Sequence, residues 1–321
     1  TGFIWKKGAE RPHTRVYRCE HCGDEGERPT HPSDINRIIT GSPAALTRAR
    51  AFQRVGSRTE YEEISLKNAV DCYSTRALQV INALINRVNT LPFTIHEKNY
   101  LQCMLFSVFE DALSLWHWPL QRSRPLQLSI PNQFFEKNLW FSLIQAPSRW
   151  ARAGNPVSVN YWPKMPDSKN GIILFSRRLL EKKRILSNNP PDGIGLLFAH
   201  PNQAFWTLSA LWSGWLWGKK GSAPMRAALT RRHYDWVWYH GALSSVMAGL
   251  TNDLIKGVPV FGILTESTPA ILLAVLQAMR QSAFLLTGHA QRAEEGTIQL
   301  EWRKQHKNEM PPTGSSLKTA C

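Results

Sequence analysis

The sequence predicts an α/β protein, and three observations carry that prediction. Beyond residue 156, apolar runs of strand length alternate with helical segments. The chain then has two strand-like segments, 284–292 and 297–303, joined by a loop of hairpin length. Before residue 156 the pattern is mainly helical, and a cysteine turn lies near the start. We therefore expect an α/β domain that ends in an antiparallel hairpin and follows a helical segment.

Composition predicts a globular chain with a basic surface. It has 321 residues, 43% of them hydrophobic, and a formal net charge of +15. This excess of cations favours a polyanionic partner, nucleic acid before a membrane, although a merely basic soluble protein is the alternative. No apolar run reaches the roughly 18 to 20 residues needed to span a bilayer. Five scattered cysteines favour a reducing, cytoplasmic location. Because the chain begins with Thr1, we interpret it as a fragment.

Residues 1–37 are predicted to form half of a zinc-ribbon-like knuckle. Cys19 and Cys22 stand in a Cys-x-x-Cys-Gly turn, in which a glycine after the second cysteine permits the left-handed backbone that aims both thiolates at one ion. A closed structural zinc site needs four ligands, and the chain has no second Cys-x-x-Cys. We expect the other pair to lie upstream of this chain. The alternative is a turn with two free thiols.

Residues 38–155 are predicted to form a helical insertion with a candidate role in target recognition. Apolar residues recur at helical spacing up to Leu91. Two further helices are expected at 99–118 and 134–150, the second one after a Pro-Asn start signal. Their aromatic side chains are interpreted as core residues.

Residues 156–305 carry the predicted α/β pattern, and residues 306–321 are predicted to be disordered. Each long helix follows a strand, and a lysine and a glycine end the second helix before the next strand. The predicted strands are 157–159, 171–175, 194–199 and 258–265, and the predicted helices are 205–217, 239–255 and 268–282.

A tryptophan-rich segment, residues 193–238, follows directly from one of these strands. It holds six of the thirteen tryptophans. Ligands bind α/β sheets at the carboxyl ends of strands, and aromatic rings beside cations suit nucleic acid, because rings stack on bases while cations contact phosphates. The predicted nucleic-acid-binding residues are Trp212, Lys219, Lys220, Arg226, Arg231 and Arg232.

Three parts of the chain resemble a bacterial family of DNA methylases: residues 201–218, the Tyr234-Asp235-Trp236 motif and the cysteine turn. That family is similar to amino-group DNA methyltransferases that use S-adenosylmethionine. The resemblance covers essentially the whole chain, and the tryptophan-rich part is its most specific element. It implies the C-terminal half of a Rossmann-like methyltransferase sheet, preceded by a zinc-ribbon-like knuckle and a helical insertion.

The resemblance also implies a catalytic turn after the strand at 194–199. Such enzymes use a polar residue, two prolines and an aromatic residue to hold the amine of a flipped base. This chain has no intact tetrapeptide there. The best surviving candidates are Asn202 as the amine acceptor and Phe205 as the stacking ring, with His200 as a less favoured acceptor. The alternatives are that the turn has lost catalysis, or that Asn202 only caps the following helix.

The cofactor half of such an enzyme is not recognisable in the sequence. No strand is followed by the glycine-rich turn that would hold S-adenosylmethionine, so we expect that site to lie mostly outside this chain. The leading hypothesis is a fragment of an adenine-N6 or cytosine-N4 DNA methyltransferase, inactive by itself, that binds DNA. The alternatives are a non-catalytic nucleic-acid-binding relative and an unrelated α/β enzyme.

Overall fold

The structure is a computed structural model that describes residues 2–19, 21–39, 44–119, 126–151, 158–161, 171–174, 192–230, 235–265, 268–292 and 296–305. Contacts divide the chain into two units. The first contains Thr1–Asn155 and Asn202–Arg232, and the second contains Pro156–Pro201 and His233–Cys321. The segment from Asn202 to Arg232, predicted as part of the α/β domain, instead packs with the helical segment. The predicted tail, 306–321, lies outside the described residues.

The first unit contains a four-stranded antiparallel sheet in the order β3-β2-β1-β4. Its strands are β1 (Gly2–Lys6), β2 (Thr14–Arg18), β3 (Glu25–Pro29) and β4 (Gln133–Lys137). The helix predicted to start at residue 134 is therefore wrong at its beginning. Phe134 and Phe135 pair with Trp5 and Ile4 of β1, and these distant partners override the local helical pattern.

Helices make up the rest of the first unit. They are α1 (Pro32–Ile39), α2 (Ala44–Val55), α3 (Glu60–Asp71), α4 (Thr75–Thr90), α5 (Ile95–Asp111), α6 (Leu139–Ala151), α7 (Gln203–Ser222) and α8 (Arg226–Thr230), with a 3₁₀ turn at Ala223–Met225. Helix starts follow capping chemistry. Thr94 accepts the backbone N–H of Glu97, and the Glu97 side chain accepts the Thr94 N–H in return.

Helix α7 lies at the centre of this unit. Trp215 is almost fully buried, and its indole N–H donates to the carbonyl oxygen of Ala51 in α2 at 2.9 Å. A Cβ atom on Gly214 would lie 2.7 Å from a methyl group of Val55, so the bare glycine lets α7 approach α2 closely. The aromatic character of α7 therefore serves packing in the first unit.

The second unit has the mixed α/β composition that the sequence predicted. Its described elements are β5 (Ser158–Tyr161), β6 (Gly171–Leu174), β7 (Ile194–Phe198), β8 (Pro259–Leu264), β9 (Phe284–Arg292), β10 (Thr297–Lys304), α9 (Trp236–Asp253) and α10 (Pro269–Gln281). Strands β5 and β6 pair in parallel. The other four form one sheet in the order β7-β8-β10-β9.

The last two strands form the predicted antiparallel hairpin. Strands β7 and β8 are parallel, whereas β10 runs antiparallel to both β8 and β9 and lies between them. Gly262 of β8 is needed there, because a Cβ atom would lie 2.5 Å from the ring of Phe198 and 2.6 Å from the ring of Trp302. Both rings are buried in the core that α9 and α10 help to form.

None of the described helices combines the length and the apolar character that a bilayer crossing requires.

Candidate functional site

The cysteine turn, residues 19–23, lies at the tip of the β2–β3 hairpin. The backbone N–H of Cys19 donates to the carbonyl oxygen of Asp24 at 2.8 Å, and Gly23 donates to the carbonyl oxygen of Cys19 at 3.0 Å. Gly23 has φ of 72°, the left-handed value that the sequence analysis expected of it. The tip is braced because Tyr17 and Arg28 both donate to the carboxylate of Asp24, at 2.5 and 2.9 Å.

The two thiols of this turn lie together. The pKa of Cys19 is lowered because the backbone N–H groups of Cys22 and His21 and the thiol of Cys22 all hydrogen-bond to its sulfur. This arrangement favours the thiolate, the form that binds metal. Cys19 and Cys22 thus fit two of the four ligands of a structural zinc site. Among the described residues, no group of three or more histidine, cysteine or acidic side chains could hold a metal ion.

Asn202 occupies the N-cap position of α7. Its side-chain oxygen accepts the backbone N–H of Phe205 at 2.8 Å, and its carbonyl oxygen accepts that of Trp206 at 3.0 Å. The residue is only 7% exposed. This geometry is the capping role that stood as the alternative to catalysis, and it leaves the amide with little access to a substrate amine.

The other two predicted catalytic residues have different surroundings. Phe205 packs in the first unit, where its ring meets that of Trp212 edge-to-face with centroids 6.1 Å apart. His200 falls in the second unit. Its ring lies edge-to-face with that of Trp236 at 5.3 Å, and its Nδ1 is 3.1 Å from the carbonyl oxygen of Pro201.

The predicted nucleic-acid-binding residues divide into exposed, paired and undescribed groups. Lys219 and Lys220 are exposed and follow Gly218, where α7 is kinked at φ of 66°. Arg226 is instead mostly buried in an ion pair with Glu62. The two remaining cations, Arg231 and Arg232, lie outside the described residues.

Trp212 has a place in the core rather than on a surface. It is 6% exposed, and its indole N–H donates to the hydroxyl of Tyr73 at 2.6 Å. A ring held this way cannot stack on a nucleic-acid base. Trp217, five residues further along α7, is 49% exposed and precedes the exposed Lys219 and Lys220 in the chain.

The structure brings Phe205 and Trp212, predicted as a catalytic and a nucleic-acid-binding residue, together with aromatic residues that the sequence analysis interpreted as core. A groove of about 370 Å³ lies between α5, α6 and α7. We call it the aromatic groove. Its lining includes Phe106, Glu110, Trp150, Phe205, Ser209 and Trp212. The one signal available in the sequence was Glu110 beside Asp111 at the end of an otherwise apolar helix face.

A second cavity of about 400 Å³ lies between β1, α4 and the start of α6. Its walls are mostly apolar, and its polar end is the ion pair between Arg76 and the buried Glu136. The carboxylate of Glu136 also accepts the indole N–H of Trp5 at 2.7 Å and the hydroxyl of Ser74 at 2.9 Å. These bonds join the sheet to α4, which is a structural role.

Comparison with known proteins does not assign the chain to a family. No protein-family model matches the chain, and no curated protein is significantly similar to it in sequence.

Proposed function

We propose that this chain is the DNA-binding and structural part of an amino-group DNA methyltransferase, and that it does not transfer methyl groups by itself. The observation that carries the proposal is the sheet of the second unit. Parallel β7 and β8 are followed by a terminal hairpin whose last strand, β10, is antiparallel and lies beside β8. This ending supports the Rossmann-like methyltransferase sheet that the sequence resemblance implies.

S-adenosylmethionine would supply the methyl group in such an enzyme, but the described residues do not fit it. Strand β7 leads through Ala199, His200 and Pro201 directly into the cap of α7, with no glycine at which the backbone could approach a ligand. Asn202 is committed to that cap. Both observations support a chain that lacks an independent catalytic centre. They also agree with the second hypothesis, a non-catalytic nucleic-acid-binding relative.

Zinc fits the cysteine turn as a structural ion. Cys19 and Cys22 would hold it with their thiolates, and the backbone N–H groups of His21 and Cys22 already orient one of these sulfurs. Zinc in such a site stabilises the hairpin tip and takes no part in chemistry. Two thiolates alone bind weakly, so tight binding requires two further ligands.

DNA binding is proposed to use the exposed cations at the end of α7. Lys219 and Lys220 are exposed and follow the Gly218 kink, two and three positions after the half-exposed Trp217. Cations near an exposed ring can contact phosphates while the ring stacks on an unpaired base. This smaller surface replaces the one predicted around Trp212.

A salt titration of DNA binding tests this surface. The double variant Lys219→Ala, Lys220→Ala should lower the slope of log K against log salt by about two units, because each lost phosphate contact releases roughly one fewer counterion. The matched control is Lys6→Ala, Lys7→Ala, which removes two exposed lysines from the end of β1. If both double variants change the slope equally, the charge acts non-specifically and the proposed surface is wrong.

A further inference from the structure

We propose that the second cavity of the first unit binds an amphipathic carboxylate, a small molecule with an apolar body and one carboxylate end. We call it the sheet–helix cavity, and its lining includes Phe3, Arg76, Val80, Leu84, Trp140 and Leu143. All of its lining residues belong to the first unit, so the inference is independent of the proposed function. Three features carry it: accessible apolar walls, a polar end that offers donors, and an excess of positive charge at that end.

The apolar walls of the cavity remain accessible. Val80 and Leu84 of α4 and Leu143 of α6 are only half-buried, although they pack against the core of the unit. Trp140 is 68% exposed while it lines the cavity, so a ligand can reach these walls from solvent. The volume of about 400 Å³ lies in the range of small-molecule sites. An apolar chain that leaves water for such walls gains free energy in proportion to the area it buries.

The polar end of the cavity has donors to offer. The carboxylate of Glu136 is already held by three donors, from Trp5 at 2.7 Å, Ser74 at 2.9 Å and Arg76 at 2.6 Å. Arg76 has five N–H groups, and within the described part of the chain the bond to Glu136 is its one hydrogen bond. Its side chain is 32% exposed, and none of its nitrogens is buried without a partner. The remaining N–H groups are therefore available to an acceptor on a ligand.

The charges at this end favour an anion. The lining contains two cations, Arg76 and Lys137, and one carboxylate, Glu136, which is paired with Arg76. Lys137 pairs with Asp111, but Asp111 also pairs with Arg149, so these two cations share one carboxylate. One positive charge among the five groups is therefore left without its own carboxylate. A ligand carboxylate at Arg76 would supply the missing negative charge.

This end selects a carboxylate over other polar groups. A hydrogen bond from a guanidinium to a carboxylate is roughly twice as strong as one between neutral groups, so a hydroxyl or an amide would bind less tightly. An ammonium end would be repelled by Arg76 and Lys137. A phosphate monoester carries roughly two negative charges at neutral pH, which exceeds the single charge to be compensated.

Calorimetric titration of this chain with octanoate tests the site. We expect saturable one-to-one binding of octanoate. We expect its neutral isostere octanamide to bind at least about tenfold more weakly, because it lacks the charge that Arg76 recognises. Octylammonium, which has the same chain and the opposite charge, should show no saturable binding. No saturable binding of octanoate, or equal binding of octanoate and octanamide, would overturn the proposal.

A variant that fills the cavity separates binding inside it from general attraction to a basic protein. Val80→Phe should weaken octanoate binding about tenfold, which corresponds to roughly two methylenes that no longer fit between the walls. The matched control is Ala83→Phe, which adds the same ring to an exposed position of α4 that does not line the cavity. Equal losses in the two variants would contradict a site inside the cavity.

A second variant tests the polar end without leaving Glu136 unpaired. Arg76→Lys keeps a cation beside that buried carboxylate but removes the additional N–H groups of the guanidinium. We expect octanoate binding to weaken several-fold and octanamide binding to stay the same. Unaltered urea unfolding curves check that each variant is folded, and if Val80→Phe does not fold, the Arg76→Lys comparison decides. Equal losses for octanoate and octanamide in Arg76→Lys would show that Arg76 does not recognise the carboxylate.

Discussion

The cysteine turn and helix α7 are the two motifs that stand out in the sequence, and the fold treats them in opposite ways. Cys22 stays exposed at a hairpin tip, where backbone N–H groups hydrogen-bond to the sulfur of Cys19 and lower its pKa. The indoles of Trp212 and Trp215 are instead buried and hydrogen-bonded to protein atoms. A residue type therefore predicts binding chemistry only where the tertiary structure leaves it accessible.

The largest expected effect is on stability and concerns the buried indole of Trp215 in α7. Trp215→Ala should lower the free energy of unfolding by about 3 to 5 kcal/mol, because it removes a large core ring and leaves the carbonyl oxygen of Ala51 without this donor. Trp217→Ala, at a half-exposed position in the same helix, should cost much less, within about 1 kcal/mol. Urea unfolding followed by far-ultraviolet circular dichroism measures both. Similar losses in the two variants would mean that α7 is not packed as described.

A second test compares the reactivity of the cysteines. The pKa of Cys19 is lowered, so more of its thiolate is present at pH 7.5 than in an ordinary thiol. Burial raises the pKa of Cys72 to about 12, and that thiol is also 2% exposed. Iodoacetamide should therefore modify Cys19 roughly a hundredfold faster than Cys72.

Mass spectrometry of timed samples measures the two rates. Raising the pH from 7 to 9 should accelerate modification of Cys72 more steeply than that of Cys19, since the thiolate of Cys72 is still far from fully formed. Added zinc should protect Cys19 and Cys22 and leave Cys72 unchanged. Comparable rates at pH 7.5 would show that the cysteine turn does not lower the pKa of Cys19.

The smallest effect concerns the turn before α7. Asn202→Ala should lower the free energy of unfolding by about 1 kcal/mol, because the Phe205 N–H loses its acceptor. Asn202→Ser should restore most of that loss, since serine caps helices about as well. DNA affinity should stay the same in both variants. A large loss of methyl transfer in a longer, active protein, with no change in stability, would return Asn202 to the catalytic role.

Local patterns in the sequence identified much of the secondary structure. The hairpin at β9 and β10 follows from two apolar segments and a short loop, and the start of α10 follows from Thr268 and Pro269. Strand β4 could not be predicted from the local sequence, because its pairing with β1 joins residues that are more than 100 positions apart. Helical periodicity near residue 134 could not reveal that partner.

The two candidate sites differ in the same way, because one follows from local sequence and the other depends on contacts between distant residues. Cys19 and Cys22 are three positions apart, and a glycine fixes the backbone beside them, so their spacing alone predicts two converging thiols. The aromatic groove draws Glu110, Trp150 and Phe205 from three helices. No spacing in the sequence relates these residues, so the groove could not be predicted from it.

The sequence by itself determined the α/β pattern of the second unit, the basic charge and the cysteine turn, because periodicity, composition and turn residues act over short distances. Only the tertiary structure decided what the tryptophans do. Trp212 and Trp215 bond to partners 139 and 164 positions away, Tyr73 and Ala51. Burial of a side chain depends on such distant contacts, and that is why an aromatic segment that suggested a binding surface became part of a core.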